Sequence, residues 1–314
     1  MGDSNHRTPL MAPKLQTFLK RLLSTVILLA VLAGVLLWHH PYGYALLVCA
    51  LCNLSTVEWY RMLAEHRRES NRLLILVAGL VYPWLIAWLT LEGAGDSEPE
   101  QLAEHGEALP ITLFAFKYLL GYVLLAFLFE LLRMDYRGLS AREALRSLGT
   151  TVVAFVFPVW MFAFALESLI QFPFTVYFLL WLVLATKLSD IFAYASGVLL
   201  GGRLIKRPFS PVVSPKKTWE GIIGSFILTA LCSWWLLSAM PAGIDMPAHL
   251  FFCLFMPGLF VLSVVGDLAG SLIKRGLGVK DSGSLLPGIG GIYDLIDSPA
   301  FTISFFTCIF VMFG

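Results

Sequence analysis

Hydrophobic residues in this chain come in long runs, separated by short polar segments that are rich in arginine and lysine. A run of about 20 apolar residues is the length that an α-helix needs to cross a hydrocarbon core of about 30 Å. The pattern predicts nine such spans, near residues 22–38, 43–60, 73–91, 111–132, 149–166, 173–194, 222–240, 248–270 and 299–314. We therefore predict an all-α fold, a polytopic bundle of about nine transmembrane helices.

The distribution of charge between these spans predicts their orientation. With the N-terminus in the cytoplasm, every lysine and arginine except Lys117 falls on the cytoplasmic side. The long outside segment 92–110 contains six carboxylates and no lysine or arginine. Because cytoplasmic loops of membrane proteins carry an excess of Lys and Arg, we expect a cytoplasmic N-terminus and a multi-pass protein of the inner (plasma) membrane.

Composition excludes an ordinary soluble enzyme. Only 14% of the residues are charged, 58% are hydrophobic, and the mean hydropathy is +0.79, whereas a soluble domain is about 25% charged. The net charge of +1 gives no reason to expect a nucleic-acid partner. We divide the chain into a cytoplasmic tail (1–21), N-terminal helices (22–170) and a C-terminal region (171–314) with cytoplasmic loops 195–221 and 271–298.

The polar residues of the C-terminal region suggest a site for a phosphate-bearing ligand. Asp267 lies in an otherwise apolar span, where an ionised carboxylate costs at least a few kcal/mol and indicates a function by default. Lys274 and Lys280 follow it, and Asp294 and Asp297 close the segment. A magnesium ion held by the aspartates, with phosphates between metal and lysines, would reconcile these charges. The alternative is that the cations only anchor the helix at the inner leaflet.

A second polar cluster precedes the first. Lys187 and Asp190 lie near the inner end of the sixth span, and the segment 214–221 reads Ser-Pro-Lys-Lys-Thr-Trp-Glu-Gly. Its lysines and hydroxyls suit the phosphates of a nucleotide. They equally suit an interfacial belt, with Trp219 at the headgroups and the lysines on anionic lipid.

These motifs resemble those of the integral-membrane phosphatidate cytidylyltransferases (CDP-diacylglycerol synthases). The matching residues of their C-terminal signature are Ser271, Lys274, Arg275, Lys280, Asp281, Pro287, Gly288, Gly290, Gly291, Asp294 and Asp297. The segment 214–221 resembles a second family motif, and Asp190 begins a segment similar to a third. Glu58-Trp59-Tyr60-Arg61 is similar to a short motif near the family's N-terminus.

The resemblance implies transfer of a cytidylyl group from CTP to phosphatidate, giving CDP-diacylglycerol and pyrophosphate on the cytoplasmic side. It implies Mg²⁺, with room for a second cation, and a homodimer. The implied metal ligands are Asp267, Asp294, Asp190 and Asp297. The implied catalytic residues are Asp267, Asp294, Lys274, Lys280 and Asp281. The implied substrate-binding residues are Ser214, Lys216, Lys217, Arg275, Ser271, Gly288, Gly290 and Gly291.

Two positions depart from the family pattern, and they leave alternatives open. Ile289 stands where the family has histidine, and Leu295 stands where it has arginine. The chain could be an active divergent enzyme, or a low-activity paralogue that acts on another lipid phosphate or only binds it. A transporter would share the spans and the intramembrane charges, but it should show repeated halves, and we find none. A CTP-dependent lipid kinase fits the signature less well.

Overall fold

Helices account for most of the described residues. The computed structural model describes residues 30–35, 37, 38, 40–65, 70–93, 108–171, 175–239, 247–283, 285 and 290–313. The helices are α1 (Pro41–Glu65), α2 (Arg72–Gly93), α3 (Ala108–Arg137), α4 (Ala141–Phe155), α5 (Met161–Gln171), α6 (Thr175–Leu200), α7 (Trp219–Ala239), α8 (Met256–Leu277) and α9 (Ile292–Phe313). No strand forms within these ranges; Ser210 and Ser214 pair as an isolated bridge.

Seven helical stretches of the described chain are long and apolar enough to cross a membrane. They are Arg72–Glu92, Leu113–Arg137, Ala141–Leu166, Val176–Leu200, Trp219–Ala239, Ala248–Leu277 and Ile292–Ile309. The prediction of a helical, polytopic membrane bundle is therefore confirmed. The predicted span 22–38 lies largely outside the described residues, and 43–60 forms α1, which is not among the seven. The total of nine spans and the division of the chain at residue 170 stay predictions.

Two of the spans contain a wide turn of π-helix. Val156–Trp160 joins α4 to α5, and Phe251–Phe255 leads into α8. The first of these turns contains Pro158, which has no N–H to donate and so interrupts the regular α-helical ladder. The helix therefore continues through the proline as one span, Ala141–Leu166.

Helix α9 is the central element of the bundle. It packs against α8, α6, α5 and α1, and 67% of its apolar stretch is buried, the largest share among the seven candidate spans. Its first turn carries Asp294 at the end of the bundle where α8 finishes with Lys274 and Arg275. The side chains that position the candidate site therefore converge on the beginning of α9.

Glycines on α8 allow α9 to approach closely. A Cβ at Gly266 would lie 2.9 Å from the Cα of Ser298 and 3.0 Å from the carbonyl oxygen of Asp297. A Cβ at Gly270 would lie 2.8 Å from a carboxylate oxygen of Asp297. Small residues at such positions are typical of tightly packed membrane helices. The small residues of α8 therefore let its backbone lie against the turn of α9 that carries the site carboxylates.

Another buried carboxylate belongs to helix packing rather than to the site. Glu130 on α3 is 3% exposed and accepts a 2.6 Å hydrogen bond from the Ser147 hydroxyl of α4. Arg133 lies 3.1 Å from the same carboxylate oxygen. Each polar partner is satisfied, so this cluster fastens α3 to α4.

We expect Gly266→Ala to destabilise the protein by about 1–3 kcal/mol, because the added methyl group meets backbone atoms of α9 that cannot rotate away. Thermal unfolding of the detergent-solubilised protein measures the change. The matched control is Gly258→Ala on the same helix, where a Cβ would meet nothing within 4 Å. An equal melting temperature for the two variants would contradict the close approach of α8 and α9.

Candidate active site

A tightly turned loop brings the lysine pair of the 214–221 segment to the end of α6. The Ser214 amide donates to the Ser210 carbonyl at 3.0 Å, and the Lys217 amide donates to the Ser214 carbonyl at 3.1 Å. The Phe209 amide returns to the Lys217 carbonyl at 2.8 Å. These bonds fix the backbone on both sides of Lys216, so the lysine pair has a defined position without belonging to a helix.

The buried carboxylate of Glu220 anchors the preceding part of this loop. Glu220 is 7% exposed, and its Oε1 accepts hydrogen bonds of 2.8 Å from the amides of both Leu204 and Ile205. The acidic residue in the first turn of α7 therefore serves the loop backbone. Negative charge is also favourable there because a helix N-terminus carries a partial positive charge.

An ion pair joins the two clusters that the sequence singled out. The Lys217 ammonium contacts the Asp267 carboxylate of α8. Both side chains are partly exposed, at 19% and 26%, and face the space between α6, α7 and α8. The partner of this intramembrane carboxylate is thus a lysine 50 residues earlier in the chain.

The second lysine network lies deeper. Lys274 Nζ is 2.6 Å from Asp294 Oδ1 and 3.4 Å from Asp297 Oδ2. The other oxygen of Asp297 lies 4.0 Å from Lys187 Nζ, which is also 3.6 Å from Asp190. Asp297 is 3% exposed, and a buried carboxylate of this kind requires compensating charge. The two lysines supply that charge from α6 and α8.

Asp294 is held by both of its oxygens. Oδ1 faces Lys274, while Oδ2 accepts the Gly291 amide at 3.0 Å and both the amide and the hydroxyl of Ser282 at 2.9 Å. A carboxylate in the first turn that accepts the amide just before its helix is half of a capping box. The orientation of Asp294 is therefore fixed before any ligand binds.

A cavity of about 410 Å³ opens between these elements. Four aspartates and two lysines from the predicted clusters line it together with residues of α6 and α7. The lining residues are Asp190, Ala193, Tyr194, Gly197, Val198, Lys216, Lys217, Thr218, Gly221, Ile222, Asp267, Asp294 and Asp297. The volume lies within the range of small-molecule sites, and both signs of charge are present at its wall.

The donor chemistry of this wall suits a hard divalent cation. Carboxylate oxygens are the ligands that Mg²⁺ and Ca²⁺ prefer, and four of the lining residues are aspartates. Within the described ranges, no group of three or more His, Cys, Asp or Glu side chains is gathered closely enough to hold a metal ion. Lysine ammonium groups contact all four aspartates instead.

Other predicted site residues lie outside the cavity wall. Arg275 is exposed and donates to the Val279 carbonyl at 3.2 Å, and Lys280 and Asp281 are exposed. Ser214 forms the loop turn described above, and Ser271 is half-buried on α8. The structure thus brings together the predicted aspartates and the lysines of the 214–221 segment, but not these residues.

The described glycines of the signature make room for carboxylates. Gly290 has a φ of 126°, which side-chain-bearing residues rarely adopt, and a Cβ there would collide with the Asp294 carboxylate. A Cβ at Gly291 would meet the Ser282 hydroxyl and the Glu58 carboxylate. Gly288 lies outside the described residues, as do Pro287 and Ile289.

Glu58 on α1 is an important residue that our list of site residues omitted. Its carboxylate accepts the amides of Ile292 at 2.9 Å and Tyr293 at 3.0 Å, and it lies 3.2 Å from the Ser282 hydroxyl, within hydrogen-bond distance. Glu58 is 5% exposed and caps α9 from more than 230 residues away in sequence. The Glu-Trp-Tyr-Arg segment was the available signal, but nothing in its local sequence indicates a distant helix N-terminus as its partner.

The surroundings of Leu295 account for one of the two departures from the signature. Its side chain is half-buried and packs against the main hydrophobic core. Its neighbours Asp294 and Asp297 on α9 keep their lysine partners. An apolar residue is therefore compatible with this position of the helix.

Comparison with known proteins identifies similar sequences over nearly the whole chain. The family model described as the cytidylyltransferase family matches residues 19–313. A Haemophilus influenzae protein named phosphatidate cytidylyltransferase is 27% identical over 290 residues, 92% of this chain and 96% of its own length. A Helicobacter pylori protein of the same name is 40% identical over 125 residues, 39% of this chain and 43% of its own. An Arabidopsis thaliana protein, phosphatidate cytidylyltransferase 4, chloroplastic, is 43% identical over 119 residues, 36% of this chain and 28% of its own.

We expect Glu58→Gln to loosen the beginning of α9, because an amide group has only one acceptor oxygen for three donors. Hydrogen exchange at the Ile292 and Tyr293 amides should become at least about tenfold faster, as loss of a charge-assisted bond is worth about 1.5–3 kcal/mol. Peptides spanning 290–296 report this by mass spectrometry. Glu65→Gln, an exposed position on the same helix, is the control. Unchanged exchange in Glu58→Gln would contradict the capping role.

Proposed function

Because the chain belongs to the cytidylyltransferase family, we propose that it transfers a cytidylyl group from CTP to phosphatidate in phospholipid synthesis. The products are CDP-diacylglycerol and pyrophosphate. The observation that carries this proposal is the cavity of about 410 Å³, whose wall contains lysines of the 214–221 segment and aspartates of the C-terminal segment. A relative named phosphatidate cytidylyltransferase that aligns with 92% of the chain supports the choice of lipid.

The reaction needs positioning and charge neutralisation more than covalent help. A phosphate oxygen of the lipid forms a bond to the α-phosphorus of CTP, and the bond from that phosphorus to the pyrophosphate oxygen breaks. Both reactants are polyanions, so holding them together in a partly desolvated cavity requires positive charge. Lys216 and Lys217 line the cavity and are the cations best placed to receive phosphate oxygens. Lys274 lies behind the wall, where it pairs with Asp294 and Asp297.

The proposed role of the aspartates is to hold a divalent cation, most simply Mg²⁺. Asp267 and Asp294 are the first candidate ligands, and Asp190 and Asp297 are the others, because all four line the same cavity. A bound divalent cation would neutralise phosphate charge there. Pairing with lysine keeps the carboxylates oriented, so the donor set is in place when cation and nucleotide arrive together.

The proposed orientation places the cavity at the cytoplasmic face of the inner membrane. The loops that carry most of the basic residues lie at the same end of the bundle as Lys217 and Lys274, and an excess of such residues marks the cytoplasmic side. CTP would enter from the cytosol, and phosphatidate would enter from the inner leaflet. A homodimer stays an expectation from the family resemblance.

We expect Asp267→Asn to lower the rate of pyrophosphate release at least about 100-fold, because it removes both a cation ligand and the partner of Lys217. The assay uses the purified full-length protein with CTP, Mg²⁺ and detergent-dispersed phosphatidate. The matched control is Asp135→Asn, an exposed carboxylate at the end of α3, which should stay within about threefold of the unmodified protein.

If the unmodified protein releases no pyrophosphate, the two departures from the signature are tested next. Ile289→His and Leu295→Arg together should then restore turnover if the chain is a decayed enzyme. If the restored protein also fails with phosphatidate, the proposal of phosphatidate as acceptor is wrong, and another lipid phosphate or a binding role replaces it. An active Asp267→Asn variant would contradict the assignment of the cavity.

A further inference from the structure

A second cavity, of about 330 Å³, lies between α1, α4 and α8. Trp59 contributes the wall from α1, Arg146 and Thr150 from α4, and Ile273 and Gly276 from α8. None of these residues lines the first cavity. The two cavities use different faces of α8, because Gly270 and Lys274 face Asp297 while Ile273 and Gly276 face the second cavity.

Two glycines leave this space unfilled. Cβ atoms built at Gly149 on α4 and at Gly276 on α8 would meet nothing within 4 Å. Both residues line the cavity, so protein atoms do not fill the gap between the two helices. Protein interiors are close-packed, and a crevice of this size between transmembrane helices is accessible to lipid.

The polarity of the crevice selects for an anion. Arg146 is the charged residue of its described lining, and no carboxylate is part of that lining. The remaining wall is largely apolar, with Trp59, Val153 and Ile273. An arginine beside apolar walls matches an amphiphile with a negative head and a hydrocarbon body better than it matches a free nucleotide.

The depth of the crevice matches a lipid headgroup. Arg146 lies five residues after the start of α4 at Ala141, about 8 Å along the helix axis, and Gly276 is one residue before the end of α8. Both helix ends belong to the basic end of the bundle, where the first cavity opens. Basic pockets between helices at this depth are typical sites for anionic lipid headgroups.

We propose that this crevice binds the phosphate of an anionic glycerophospholipid, in addition to the lipid substrate of the proposed reaction. Arg146 holds the phosphate, and the apolar walls hold the glycerol and the first part of the acyl chains. The occupant would rest on Trp59, whose ring packs edge-to-face on Tyr293 with centroids 5.3 Å apart. Because Lys274 Nζ lies 5.8 Å from the centre of the Tyr293 ring, lipid in the crevice would support the side chains that hold Lys274 against Asp294 and Asp297.

Native mass spectrometry of the purified full-length protein with added dioleoylphosphatidylglycerol tests the site without CTP or turnover. Phosphatidate and phosphatidylcholine form parallel arms. We expect the unmodified protein to retain one anionic lipid, and Arg146→Gln to weaken its retention roughly tenfold, or about 1.4 kcal/mol, because the variant removes the charged hydrogen-bond donor. Gly149→Leu, which fills the crevice, should give the same loss. The matched control is Arg142→Gln, an exposed arginine one turn earlier on α4.

The control variant and the three phospholipids distinguish a specific site from general affinity for lipid. Retention of phosphatidylglycerol and phosphatidate alike, weakened in Arg146→Gln, supports a site that recognises the net negative charge at the phosphate. Retention of phosphatidate alone, unchanged in Arg146→Gln, would overturn the proposal by placing that lipid in the first cavity. Equal retention of phosphatidylcholine, or an equal loss in Arg142→Gln, would overturn the proposal by showing only a general affinity for the bilayer surface. Circular dichroism and gel filtration of each variant separate lipid loss from misfolding. Because no step depends on cytidylyl transfer, failure here leaves the proposed function untouched.

Discussion

The candidate active site depends on lysine–aspartate pairing at one end of a membrane bundle. Lys274 lies between Asp294 and Asp297, and Lys217 reaches Asp267 from a loop. Charges of one sign in this environment would be costly, whereas paired charges give a nearly neutral wall. A polyanionic ligand and a divalent cation can replace this pairing together, since each brings the charge that the other removes. The same pairing therefore neutralises the cavity wall, and under the proposed function it would give way to a metal–phosphate ligand.

The position of α9 determines whether this pairing can form. Gly266 lets α8 lie against the backbone of α9, and Glu58 of α1 holds the first amides of α9. The Ser282 hydroxyl lies within hydrogen-bond distance of both Glu58 and Asp294, although it has one proton to donate. The capping of α9 and the orientation of a site carboxylate are thus coupled through one side chain.

The sequence predicted the membrane class and the helical fold, because apolar runs and intramembrane charges have strong physical consequences. It also singled out the four aspartates and two lysines that the structure places on one cavity wall. It did not predict which motif residues meet. Asp281 and Lys280 belong to the same motif as Lys274, yet they follow the end of α8 and are exposed. Glu58 shows the opposite: it was not among the predicted site residues, yet it holds the beginning of α9. Its partners are backbone amides at the far end of the chain, and main-chain donors leave no pattern in the sequence. Pairing across about 50 or 230 residues is a property of the packed helices, which periodicity alone does not reveal.

A double-mutant cycle on Lys217 and Asp267 tests most directly whether the two motif segments form one site. The quantity to measure is the affinity for CTP with Mg²⁺ in the unmodified protein, Lys217→Gln, Asp267→Asn and the double variant. A shared site predicts that the single effects do not add, with a coupling free energy of at least about 1 kcal/mol, as is typical for residues in contact. Additive effects within about 0.3–0.5 kcal/mol, or no CTP binding by the unmodified protein, would contradict the account.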